Sequence, residues 1–192
     1  STLSPSSAAS DVYKRQVGSI AIQLAKHVGA FVATTTSTRN VEWVKALGAD
    51  VVIDYKQQHF ETQLHDYDVV LNSLDAGTLE KSLKVLKPGG QLISISGPPT
   101  AQFAKAQGLS WVLQQVMGLL SYGIRRKARQ RGVSYSFVFM RASGEQLREV
   151  TTLIESGVIR PVVDRVFEFG ATAQALSYVE SGRAKGKVVI RV

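Results

Sequence analysis

Short runs of this chain place apolar residues at consecutive positions: Val51-Val52-Ile53, Val69-Val70-Leu71 after Asp68, and Leu92-Ile93-Ser94-Ile95-Ser96. A strand built that way has no face suited to water, so it needs cover on both sides. Stretches with helical spacing lie between these runs, over about 41–47 and 78–86, the second with Leu79, Leu83 and Leu86 on one face. Such an alternation builds a parallel sheet with helices on both faces, because a parallel strand must return by a crossover.

The segment Val17–Thr38, VGSIAIQLAKHVGAFVATTTST, repeats this order at the front of the readable chain. Ile20, Ala21, Leu24, Ala25 and Val28 recur at three- and four-residue steps, which predicts a helix that buries that stripe. Gly29 ends the helix, and Phe31-Val32-Ala33-Thr34-Thr35-Thr36 is strand-like. Gly18 opens the helix, where free N–H groups and the positive end of the helix dipole suit a pyrophosphate. The pattern is a helix and a strand of a dinucleotide-binding βαβ unit, with neither a G-x-G turn nor an apolar strand ahead of it.

Residues 1–16, STLSPSSAASDVYKRQ, have no period and are Ser-rich, which predicts disorder. Their SDVYKRQ stretch resembles translated sequencing-adapter DNA, so they are read as a non-native leader and set aside. Pro88-Gly89-Gly90 is expected to turn the chain into the strand at 92–96. Residues 103–131 read as a long helical insertion, apolar from Leu109 to Leu120 and basic from Arg125 to Arg131. A strand at Tyr135–Met140 and a helix at about 144–156 follow, then Pro161–Phe169, a helix over 171–181 and a final strand Lys187–Val192.

Of the 192 residues none is cysteine, which excludes disulfides and thiolate-bound zinc. His27, His59 and His65 have no metal-ligand spacing, so no metal site is expected. The net charge of +8 favours anionic partners, and a phosphate-bearing cofactor is the mildest of these. No apolar run is long enough for a membrane span, and no signal segment precedes the fold, so a cytoplasmic location is expected. The stretch Trp111–Leu120 followed by Arg125, Arg126, Lys127, Arg129 and Arg131 suits an interfacial membrane helix or a nucleic-acid arm. The preferred reading is a lid or subunit-contact helix with a solvated basic end, so no nucleic-acid partner is expected.

Taken in order, VGSIAIQLAKHVGA, KALGADVVIDY, LEKSLKVLKPGGQLISISG and the terminal GRAKGKVVI resemble the medium-chain dehydrogenase/reductase superfamily. The likeness is to its zinc-independent, quinone-oxidoreductase-like branch and covers residues 17–192. It implies a Rossmann-type doubly wound parallel sheet, here lacking its first strand, plus the C-terminal segment of a GroES-like catalytic domain. The expected division is a leader over 1–16, a truncated dinucleotide-binding domain over 17–159, and a return to the catalytic domain over 160–192. A sheet without its central strand has open backbone edges, so the chain alone is expected to be unstable and inactive.

The resemblance also assigns residues. Val17 and Gly18 match the last two positions of the family's glycine-rich turn, which puts Gly18 at the pyrophosphate. At the end of the second strand an NAD site places Asp or Glu on the ribose 2′-hydroxyl. Here Thr36-Ser37-Thr38-Arg39-Asn40 has no acid before Glu42, and Ser37, Arg39 and Asn40 offer donors suited to a 2′-phosphate. Tyr55 matches a tyrosine that lies near that phosphate in NADP-using relatives. NADP(H) is therefore the expected cofactor. At the nicotinamide end the resemblance implies Asn72 and Ser73, Ser96 and Gly97, and Phe137 to Phe139. Lys187 reaches the cofactor in relatives, yet a solvated strand-start lysine is the favoured reading.

No catalytic residue is named, because hydride transfer needs orientation, exclusion of water and a proton source more than a dedicated side chain. The implied parent is a homodimeric NADPH-dependent reductase of quinones, enones or similar small molecules. A zinc-dependent alcohol dehydrogenase relative and a non-catalytic NADP-binding or structural protein are the alternatives.

Overall fold

The computed structural model describes residues 17–181, 184 and 186–192. The leader at 1–16, and Gly182, Arg183 and Lys185 of the terminal motif, lie outside the described residues. The chain divides into two compact units. One combines the described residues of Ser1–Lys56 with Ser143–Val192, and the other is Gln57–Ala142. Among the described residues, helices and strands alternate and every strand pairing is parallel, the α/β class that the alternation predicts.

In the first unit, helix α1 runs through 17–27. Gly29 ends it at φ +80°, a conformation that disfavours a β-carbon, and the Ala30 N–H returns to the Ala25 carbonyl at 2.9 Å. Strand β1 is Ala33–Thr36, helix α2 is Val41–Ala46, and strand β2 is Val51–Asp54. β1 and β2 pair in parallel with Thr36 beside Asp54.

The stripe expected to be buried on α1 is not the buried one. Ile22 is buried with Val44 and Ala49, whereas Ile20 and Val28 are exposed and Ala21, Leu24 and Ala25 are half-buried. At about 100° per residue, Ile22 lies roughly opposite Ile20 and Leu24, so covering one face leaves the other open. Gln23 is buried beside Ile22 by hydrogen bonds rather than apolar contact. Its Oε1 accepts from the Arg160 N–H at 2.8 Å, and its Nε2 donates to the Arg160 carbonyl at 3.3 Å.

The second unit holds a three-stranded parallel sheet, with helix α3 (Phe60–Gln63) ahead of strand β3 (Tyr67–Asn72) and helix α4 (Ala76–Ser82) after it. Strand β4 is Leu86–Ser94, and it lies between β3 and β5. α4 stops at Ser82, earlier than the spacing of Leu79, Leu83 and Leu86 predicts, yet all three side chains are buried. Pro88-Gly89-Gly90 is not a turn before the strand but a bulge within it. Tyr67 lies beside Leu86, and the next register pair is Val69 with Gln91. Gly89 supplies the left-handed φ of +84° there, and its N–H reaches the Gly132 carbonyl at 2.8 Å.

The expected single helical insertion at 103–131 is three helices: α5 (Ala101–Ala106), α6 (Trp111–Leu120) and α7 (Tyr122–Gln130). Gly108 at φ +67° separates the first two, and buried Ser121 marks the junction of the last two. α7 puts Ile124 and Ala128 into one core with Leu79, Leu83, Leu86, Leu92 and Val133. Its basic residues therefore stand on a packed helix, whereas α6 has no buried residue and its Trp111, Leu119 and Leu120 are exposed. Strand β5 is Ser134–Phe137 and ends three residues before the predicted Met140.

Cover on both faces of β3 is also only half met within this unit. Val70 packs on the core, and the two-residue period turns Val69 and Leu71 the other way, where both are exposed.

The first unit closes with helix α8 (Gly144–Glu155), strand β6 (Val163–Glu168), helix α9 (Thr172–Glu180) and strand β7 (Lys187–Arg191). Ser143 caps α8 by accepting from the Gln146 N–H at 3.3 Å. β6 and β7 pair in parallel as a separate two-stranded sheet.

Candidate functional site

In the first unit the expected phosphate-end residues lie at the carboxyl edge of β1 and β2. The Tyr55 N–H donates to the Thr36 carbonyl at 3.1 Å and carries the parallel pairing one residue past β2. β1 then gives way to Ser37 and a single 3-10 turn, Thr38–Asn40. The Asn40 N–H returns to the Ser37 carbonyl at 2.8 Å, and Asn40 Nδ2 donates to Ser37 Oγ at 3.3 Å. Ser37 is thereby buried, while Arg39 on the same turn is exposed and Tyr55 stands open on the neighbouring strand end. Ser37, Arg39, Asn40 and Tyr55 are thus brought to one strand edge.

A β-carbon on Gly18 would meet no atom within 4 Å, and Gly18 lacks a left-handed φ. Neither packing nor backbone conformation within the protein demands glycine at that helix start.

The edge also holds a residue that the sequence did not single out. Asp54, the last residue of β2, is 9% exposed. Thr38 Oγ1 donates to its Oδ2 at 2.6 Å, and the Lys56 N–H donates to its Oδ1 at 3.0 Å. The Thr38 hydrogen bond leads the effects that hold this carboxyl below the usual carboxylate range, against the opposing push of burial. The turn after β1 has no acid of its own, but the adjacent strand supplies one.

In the second unit the expected nicotinamide-end residues gather where β3 and β4 end. Asn72 and Ser94 are both buried and paired across the strands, with Ser94 Oγ 3.4 Å from Asn72 Oδ1. Ser94 Oγ accepts from the Gly97 N–H at 2.8 Å and from the Ser96 N–H at 3.3 Å. Ser96 Oγ donates to the Leu74 carbonyl at 2.5 Å, and Ser73 lies half-buried between Asn72 and Leu74. Ser94 is the hub here, and only its place in the Leu-Ile-Ser-Ile-Ser run could have flagged it.

Beside this network, Tyr135 Oη donates to the Pro98 carbonyl at 2.8 Å. Burial pushes that hydroxyl up to about 12. Phe137 and Phe139 stack with centroids 6.5 Å apart, and Phe103 of α5 stands edge-on to Phe137 at 5.0 Å. Phe137 closes β5, whereas Phe139 lies beyond it and is exposed. Carboxyl ends of parallel strands are where open α/β sheets receive ligands, and each unit presents its polar residues there.

Among the described residues no group of three or more His, Asp or Glu side chains is gathered as a metal site requires, and the chain has no cysteine. Lys187 begins β7, is exposed, and donates its N–H to the Val162 carbonyl at 2.6 Å. No helix among the described residues is long and apolar enough to cross a membrane.

Comparison with known proteins adds the lineage. The family model described as "Zinc-binding dehydrogenase" matches residues 47–190. The 2-methylene-furan-3-one reductase of Solanum lycopersicum is 36% identical over 91% of this chain and 37% of its own length. The chloroplastic NADPH-dependent alkenal/one oxidoreductase of Arabidopsis thaliana is 35% identical, with the same coverage of 91% and 37%. Among solved structures, the quinone oxidoreductase of Coxiella burnetii matches with a TM-score of 0.70 at 26% identity, over 92% of this chain and 50% of that one. The chain spans between about a third and a half of the length of these relatives. The family match takes in the ends of β2, β3 and β4 and begins after the turn that follows β1, and the chain belongs to the zinc-binding dehydrogenase family of medium-chain dehydrogenases/reductases.

Proposed function

We propose that this chain supplies the NADP(H)-binding part of an oxidoreductase that delivers hydride to an enone, quinone or similarly activated small molecule. The observation that carries the reading is the turn after β1. It presents the Arg39 guanidinium to solvent beside Ser37 and Asn40, with no acid on the turn itself. A planar guanidinium makes two-pronged, charge-assisted hydrogen bonds to a phosphate, and the Tyr55 hydroxyl on the adjacent strand end adds a donor. The names of relatives support it: an NADPH-dependent alkenal/one oxidoreductase, a furanone reductase and a quinone oxidoreductase.

Bound NADPH would supply the hydride. Arg39, Ser37, Asn40 and Tyr55 would hold its 2′-phosphate, and Val17 and Gly18 would meet the pyrophosphate at the start of α1. In the second unit, Asn72, Ser73, Ser96 and Gly97 would meet the nicotinamide end, with Phe137 and Phe139 beside them. No residue of this chain is assigned as the proton donor.

The test is the affinity of the chain for NADPH and NADH, by calorimetric titration, before and after Arg39→Ala. A charge-assisted hydrogen bond is worth about 1.5–3 kcal/mol, and exposure places Arg39 at the low end, so NADPH should weaken by roughly tenfold. NADH should not change. Equal affinity for both cofactors, unaltered by Arg39→Ala, overturns the reading.

A further inference from the structure

We infer that Thr38 is a positioning residue that sets cofactor preference by masking the Asp54 carboxylate, an inference that rests on the NADP(H) reading of the same turn. A carboxylate at this strand edge is the chemistry that reads a ribose 2′-hydroxyl and repels a 2′-phosphate. In this chain that carboxylate comes from β2, because the parallel register sets Asp54 beside Thr36, two residues before Thr38. Each of its two oxygens already accepts one hydrogen bond from within the chain. Oδ2 accepts from Thr38 Oγ1 at 2.6 Å, and Oδ1 accepts from the Lys56 N–H at 3.0 Å.

The same hydrogen bond ties down the first residue of the 3-10 turn. Thr38 therefore does two things at once. It takes one acceptor site of Oδ2 and screens the charge on that oxygen, and it fixes the turn that carries Arg39 outward. Hydrogen bonds to a charged acceptor are roughly twice as strong as neutral ones, so the masking is not readily undone.

The experiment measures Kd for NADPH and for NADH with the full chain and expresses cofactor preference as their ratio. Thr38→Val keeps the shape of the side chain and removes the hydroxyl, which takes from Asp54 Oδ2 its screening donor. The preference for NADPH should fall by about tenfold, with NADH unchanged or tighter. Adding Asp54→Asn to Thr38→Val removes the unscreened charge and should restore most of the preference. Thr38→Ser keeps the hydroxyl and should behave as the parent.

A purely structural role would weaken both cofactors together and leave the ratio alone in all three variants. Preference that survives Thr38→Val, or a double variant no better than Thr38→Val, overturns the inference while leaving the NADP(H) reading intact. A parent chain without preference for NADPH sinks that reading and the inference with it.

Discussion

Gly97→Ala is a small change that should be costly, for a reason unconnected with backbone conformation. Gly97 is absent from the left-handed glycines, so its φ suits any residue. The obstacle is space. A β-carbon there would lie 2.7 Å from Tyr135 Oη, 2.8 Å from Ser94 Oγ and 3.0 Å from Leu79 Cδ2. Ordinary contacts of this kind fall near 3.5–4.0 Å, so something must move by about half an ångström or more. Ser94 and Leu79 are almost fully buried, at 0% and 2% exposure, and have nowhere to go.

Tyr135 is the group able to give way, at the cost of its 2.8 Å hydrogen bond to the Pro98 carbonyl. Losing that bond costs about 1 kcal/mol, and overpacking adds about 1–3 kcal/mol. A total loss of about 2–4 kcal/mol follows. Equilibrium urea unfolding, followed by circular dichroism and with the slope unchanged, measures it. Tyr135→Phe removes the oxygen that the new methyl strikes, so the double variant should be less destabilised than the two single changes added together. A Gly97→Ala chain within about 0.5 kcal/mol of the parent, or strict additivity with Tyr135→Phe, would refute the packing described for this strand end.

Two pH effects follow from the ionisable groups Tyr135 and Asp50. The Tyr135 hydroxyl, pushed up to about 12 by burial, favours its neutral form in the folded state. Its contribution to stability is complete below about pH 10 and is lost as pH rises through about 12; tyrosinate absorbance during alkaline unfolding checks this, and Tyr135→Phe should flatten that limb. Asp50 is held below the usual carboxylate range, chiefly by the Lys26 ammonium at 2.8 Å and then by the Val32 N–H at 2.7 Å. Its contribution is present above the ordinary carboxylate pKa and disappears as pH falls through the lowered one, so Asp50→Asn should flatten the acid limb of a thermal-melting profile below about pH 4. An acid limb identical in the variant would remove Asp50 from that account.

What the sequence by itself determined is local and periodic. Gly29 and Gly48 end their helices at φ values of +80° and +102°, which glycine alone adopts readily, and consecutive apolar residues at 51–53 and 69–71 form parallel strands. The absence of an acid on the Ser37–Asn40 turn is likewise a property of adjacent residues, and it carries the cofactor reading. Tertiary structure decided whatever depends on residues far apart in the chain. Ile22, not Ile20, faces the core of α1, because only contact with Val44 and Ala49 selects between two opposite apolar faces. Gln23 is buried because its partner at Arg160 lies 137 positions away. Leu83 and Leu86 reach the core from outside α4, because β4 begins at Leu86 and bulges through Lys87–Gly90 before pairing resumes. Asp54 looks like one more residue of a strand until the β1–β2 register sets its carboxylate against Thr38. Periodicity records which residues prefer burial or a bend, but not which distant group will meet them; register and packing alone bring an acid and a hydroxyl 16 residues apart to one strand edge.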